Sequence, residues 1–152
     1  PMWELGDVFE IFVARHRSPL YLELHTTPNN HRLHLCWTGR EVSLVRTKQR
    51  PLEDFVQDPP IFQSWIRGAA PDQEWSLLVR LPASLWPDGL AFRAGQQLRL
   101  SFSRYDSGPG GKPQILSSTS PHRELDYHRR REWRTVTLAP GTGRNRTSRS
   151  RE

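Results

Sequence analysis

Along most of this chain apolar and polar residues alternate one for one. In "DVFEIFV", residues 7–13, Phe9, Ile11 and Val13 alternate with Val8, Glu10 and Phe12. In "LYLELH", residues 20–25, Leu20, Leu22 and Leu24 point one way and Tyr21, Glu23 and His25 the other. In "HRLHLCW", residues 31–37, Leu33, Leu35 and Trp37 alternate with Arg32, His34 and Cys36. A period of two belongs to a β-strand with one apolar and one polar face. The "TTPNN" at 26–30 supplies turn residues, so residues 20–37 read as a β-hairpin with a longer loop.

The same pattern predicts further strands at "EVSLVR" (41–46), "IFQSWIR" (61–67), "EWSLLVRL" (74–81), "QQLRLSFSR" (96–104) and "EWRTVTL" (132–138). Residues 47–60 read as a polar connection, and "PASLWPDG" (82–89) as a short helical turn or loop. The span 105–130 is a long Gly/Pro/Ser-rich excursion, a type of segment that often carries function. With no sustained helical period, the expected fold is an all-β antiparallel sandwich of jelly-roll or immunoglobulin-like type. Trp37, Trp65, Trp75 and Trp133 lie on strand-like segments and read as core or half-buried packing.

Composition narrows the function classes. Half of the formal charge of +6 sits in "GTGRNRTSRSRE", residues 141–152, which lacks an apolar face and reads as a disordered basic tail beyond a domain over 1–140. Without aromatic interleaving, that tail gives no ground for a nucleic-acid partner. No apolar run approaches a membrane span, so no membrane partner is expected. One cysteine allows neither an intrachain disulfide nor a Cys-based zinc site. His25, His31, His34 and Cys36 crowd one stretch, but their spacing fits no common zinc arrangement, and no metal or cofactor is expected.

The order of short motifs carries a resemblance. "WELGDVFEIFV", "YLELHTTPNN", "LRLSFSRYD", "SSTSPH" and then "YH" before "EWRTVTL" follow one another as in the family-nine carbohydrate-binding modules and the wider DOMON-like superfamily. The resemblance covers residues 3–139. It implies a non-catalytic sandwich that binds a saccharide end or short glycan, in an extracellular or periplasmic setting. In that family several strands precede the first of these motifs, so the sandwich is expected to be incomplete at the N-terminus, with unpaired strand edges open to self-association. Haem ligation, found in some DOMON-like relatives, is not expected, since the one Met is Met2.

A sugar site needs an aromatic platform and in-plane carboxylate, amide or guanidinium partners. Residues of those types on the polar face of the first strands are Glu10, Tyr21, Glu23 and His25, with Trp3 just before them and Arg104 on a later strand. The resemblance places Glu10 at the motif glutamate and Trp3 at an aromatic wall. The family's Asn is Ser101 here, and its Trp-Ser-Pro element reads Thr119-Ser120-Pro121, which leaves the second wall to Trp86, Tyr105 or Tyr127. Each residue also has a plainer role: Glu10 in an ion pair with Arg32 or Arg104, and Glu23 and His25 on the wet face of a hairpin. The alternatives are a protein-interaction domain that has lost its sugar, or a glycoside hydrolase using Glu10 and Glu23 as a carboxylate pair.

Overall fold

The computed structural model describes residues 6–68, 74–82, 84–86, 89, 91–107 and 114–140. Three antiparallel strands come first: β1 (Val8–Arg15), β2 (Leu20–Thr26) and β3 (Arg32–Thr38). A short helix, α1 (Glu41–Arg46), and a 3-10 turn at Leu52–Phe55 precede the hairpin of β4 (Gln63–Arg67) and β5 (Ser76–Arg80). The long strand β6 (Gln97–Ser107) leads to β7 (Gln114–Ser118), and after a 3-10 turn at Arg130–Glu132 the described chain closes with β8 (Arg134–Thr137). The result is an all-β, sandwich-like fold of antiparallel sheets, as the alternation predicts.

The main sheet runs β3-β2-β1-β6-β7, and β8 also pairs with β6. Strand β6 serves two partners along one edge: residues 103–107 pair with β7 and residues 97–100 with β8. Between them, Thr119 holds Phe102 by two bonds, its N–H donating to the Phe102 carbonyl at 2.9 Å and its Oγ1 accepting from the Phe102 N–H at 3.0 Å. At the other margin, Leu35 of β3 forms an isolated bridge with Val56, and the Gln57 N–H donates to the His34 carbonyl at 2.7 Å. The β2–β3 hairpin runs in register from Leu20 opposite Thr38 to Thr26 opposite Arg32. Its loop turns at Asn30, whose φ of 61° is one that asparagine tolerates better than most residues.

Both faces of the sheet are covered, which corrects the expected wet face. On one face Ile11, Val13, Leu22, Leu24 and Leu98 pack against Phe62, Leu85 and Trp86. On the other, Phe12, Ala14, Tyr21, Leu35 and Trp37 pack against Val42, Phe55, Tyr127 and Trp133. Register puts Glu10, Glu23 and His25 on this second face, buried rather than solvated. Alternation separates two faces of a strand but does not say which one meets water, and here neither does.

Three further expectations change. Residues 41–46 form a helix, not a strand, because Val42 and Val45, three apart, share the stripe that packs on Trp37 and Phe55. Glu41 in the first turn accepts the Thr38 N–H, and Arg46 closes the last turn, both signs suited to the helix dipole. The excursion at 105–130 contains the end of β6 and all of β7. Trp37 and Trp133 are core and Trp75 is half-buried as expected, but Trp65 is exposed on the outer side of the β4–β5 hairpin opposite Leu78.

Candidate functional site

Antiparallel register assembles the polar cluster. Glu10 on β1 lies directly opposite His25 on β2, and Glu23 precedes His25 by two residues on the same face. His25 Nε2 is 2.6 Å from Glu23 Oε1 and 3.4 Å from Glu10 Oε1. The one proton that Nε2 carries is committed to Glu23 at the shorter distance. Trp37 on β3 donates its indole N–H to Glu23 Oε2 at 2.6 Å. Glu10, 3% exposed, receives no hydrogen bond from any described residue.

These surroundings divide the charges. Burial pushes the Glu10 carboxyl up to about 8, with His25 pulling the other way and the Glu23 charge adding to the rise. Burial also acts against the Glu23 carboxylate, but the His25 bond, the His25 charge and the Trp37 bond outweigh it and hold Glu23 below the usual range. For His25, burial disfavours the cation; the Glu23 bond and the two carboxylate charges reverse that and raise it. The balance favours charge on Glu23 and His25 and the neutral form of Glu10.

A cover segment from Pro121 to Trp133 lies over this face. Tyr21 Oη and His128 Nδ1 are 2.8 Å apart, and His128 Nε2 is 3.8 Å from Glu23 Oε2. Burial lowers His128 and favours the neutral ring; the tautomer with its proton on Nε2, facing Glu23, is the one in which Nδ1 accepts from the Tyr21 hydroxyl. Arg130 anchors the cover by donating to the Ser18 and Pro19 carbonyls, and Arg99 donates to the Arg130 carbonyl at 3.0 Å.

Between sheet, helix and cover is a pocket of about 240 Å³. Glu10 and Glu23 form its polar floor, and Trp37, Tyr105 and Tyr127 supply aromatic walls. At its mouth Arg46 of α1 meets Asp126 of the cover at 2.7 Å, both partly exposed. The Tyr127 hydroxyl is buried and has no hydrogen-bond partner among the described residues. Burial, and secondarily the Glu10 charge, push that phenol up to about 12.

Of the sequence candidates, Glu10, Glu23 and His25 come together, and Tyr21 supports them from the same face through His128. Trp3 lies outside the described residues. Arg104 does not join the cluster: it pairs in register with Phe9, on the opposite face, and its guanidinium meets Asp106 at 3.0 Å and Asp7 at 3.7 Å. Arg32 is no partner of Glu10 either, donating instead to the Phe62 carbonyl at 2.7 Å. His34 and Cys36 pair with Leu24 and Leu22, so they face away from His25, and His31 is exposed in the turn. Of the three rings considered for a second wall, Tyr105 and Tyr127 line the pocket, while Trp86 belongs to the other core. Arg46 and Asp126 were not singled out from sequence, Trp37 was read only as packing, and His128 only as part of the "YH" motif; the "DYH" at 126–128 is the local signal that the excursion carries ligand-type residues.

No family model matches the chain, and no curated protein is significantly similar to it in sequence. Among solved structures, the fold is similar to that of a candidate carbohydrate-binding protein from Bacteroides uniformis ATCC 8492, with a TM-score of 0.66 and 17% sequence identity. The match covers 90% of this chain and 62% of that one, so the chain spans less than two thirds of that protein's length. The likeness is one of fold.

Proposed function

We propose that this domain binds a saccharide, without turning it over, in the pocket between β1–β3 and the cover. The observation that carries the reading is a pair of buried polar groups lining one pocket with three aromatic rings: the Tyr127 hydroxyl, without a hydrogen-bond partner among the described residues, and the Glu10 carboxyl, whose ion-pair partner His25 stands off at 3.4 Å. Unpaired buried polar groups cost stability, and ligand hydroxyls would satisfy them. A protonated Glu10 donates one hydrogen bond and accepts another, as a sugar hydroxyl does in return. Arg46 and Asp126 stand at the mouth, where an exocyclic hydroxyl would meet them. The family-nine-like motif order and the fold of the Bacteroides uniformis protein support the same reading.

A glycoside hydrolase is less well supported by the geometry. Glu10 and Glu23 converge on one imidazole, with donor atoms of all three within 4.8 Å of one another, so His25 occupies the place a scissile bond would need. Calorimetric titration with a panel of mono- and disaccharides tests the reading. Saturable heat from one of them, lost in Glu10→Gln and Tyr127→Phe with folding intact, is the expected result. Silence across the panel from folded protein would sink it in favour of an interaction domain.

A further inference from the structure

We infer that Glu10, Glu23 and His25 form a three-donor site for a divalent cation of the zinc type, open toward the pocket. All three side chains are buried, and one donor atom from each lies within 4.8 Å of the other two. A zinc ion with ligands at 2.0–2.2 Å in tetrahedral geometry holds its donors about 3.4 Å apart. Glu10 Oε1 and His25 Nε2 already stand at 3.4 Å. Glu23 Oε1 needs only to withdraw from 2.6 Å, a shift of about 1 Å at the end of a flexible side chain.

Two further observations set this cluster apart from an ordinary buried ion pair. Glu10 has no hydrogen-bond donor among the described residues although it is 3% exposed, and it lines the pocket beside Glu23. The buried Tyr127 hydroxyl, also without a partner among the described residues, lines the same space. Zinc would take the place of the protons that Glu10 and His25 Nε2 carry, which leaves both carboxylates charged against the cation. All three donors sit on adjacent strands, which fix them as loops would not. The Trp37 N–H on Glu23 Oε2 is the kind of outer bond that orients a metal-ligating carboxylate.

The donor set selects the ion. One imidazole and two carboxylates are too few oxygens for calcium, which takes six to eight oxygen ligands, whereas imidazole with carboxylate suits zinc. The remaining coordination position faces the pocket, where a water or a ligand hydroxyl would complete it.

The test titrates zinc chloride into chelator-treated full-length protein against a chromogenic competitor, with no sugar present, so its outcome is independent of the saccharide titration. Wild type is expected to bind one equivalent, Glu10→Gln to bind at least tenfold more weakly, and His31→Gln, which removes an exposed histidine, to bind as wild type does. Zinc K-edge absorption of the wild-type complex should show one imidazole among oxygen donors. Failure of folded wild type to bind, binding untouched by Glu10→Gln, binding abolished by His31→Gln, or a shell with several imidazoles or sulfur would each overturn the site.

Discussion

Tyr21 and His128, 107 residues apart in sequence, are joined by a 2.8 Å hydrogen bond that ties strand β2 to the cover over the pocket. Tyr21 is fully buried, its ring edge-on to Trp133 and beneath the Arg130 guanidinium. Tyr21→Phe keeps these ring contacts and removes only the hydroxyl. Because His128 then loses a buried partner, we expect a loss of about 1–2 kcal/mol, read as a lower urea midpoint with an unchanged m-value. An unchanged midpoint would mean that the bond does not fasten the cover.

Trp37 contributes in two ways, stacking on Phe55 at 5.0 Å and donating to Glu23. Trp37→Phe retains much of the stack but leaves a buried carboxylate oxygen without its donor, at an expected cost of about 1–3 kcal/mol. Adding Glu23→Gln to Trp37→Phe should cost less than the sum of the two single changes, since both disrupt one network. Strict additivity in chemical denaturation would refute the coupling.

Glu10 makes stability depend on pH in a defined direction. Its folded value, about 8, lies above the ordinary 4.5 of a glutamate, so between these the unfolded chain releases a proton that the folded chain keeps. The Glu10 contribution is therefore complete below pH 4.5 and fades as pH rises toward 8. Relative to Glu10→Gln, wild type should lose ground steadily from pH 5 to pH 8. Parallel stability curves for the two proteins would show that Glu10 ionises normally.

His34 is a buried histidine on the other face, edge-on to Phe62, with neither ring nitrogen bonded among the described residues. Burial lowers it from 6.5 to about 4, so it favours the fold when neutral and costs stability as pH falls through that interval. His34→Leu should raise stability by about 1 kcal/mol at pH 7 and flatten the decline below pH 6. Destabilisation at pH 7 would reveal a partner for the ring.

Cys36 should be a slow thiol. Burial, aided by the nearby Glu41 charge, pushes it up to about 11, which leaves little thiolate at neutral pH. In native protein at pH 8 its reaction with a disulfide reagent should be far slower than in urea. Equal rates in both conditions would contradict the burial seen here.

The sequence disclosed those parts of the molecule whose signal is local. The β2–β3 hairpin and strand β6 show their alternation within a few residues, and the turn at Asn30 carries its own chemistry. The six residues at 41–46 satisfy both a two-residue spacing, Val42 to Leu44, and a three-residue one, Val42 to Val45, so only packing on Trp37 and Phe55 decides for helix. Alternation placed Glu10 with Phe12 and Glu23 with His25, which is why the cluster could be anticipated. Its burial could not, because the cover comes from residues 121–133, far along the chain. His128 and Asp126 were hidden for the same reason, and Trp37 because a core tryptophan and a hydrogen-bond donor look alike in sequence. Arg104 shares the parity of Leu98, Leu100 and Phe102, and its register with Phe9 sets it on the face opposite Glu10.

The handover at Thr119 gives the large sheet a boundary made of short pieces. Its outer strands, β7 and β8, span five and four residues, and neither continues the full length of β6. At the opposite margin the chain near Val56 already occupies part of the β3 backbone. A growing cross-β stack needs a long, straight template, and neither margin supplies one among the described residues. Among the described residues, the large sheet therefore offers an added strand short runs of free backbone at its margins rather than one continuous edge.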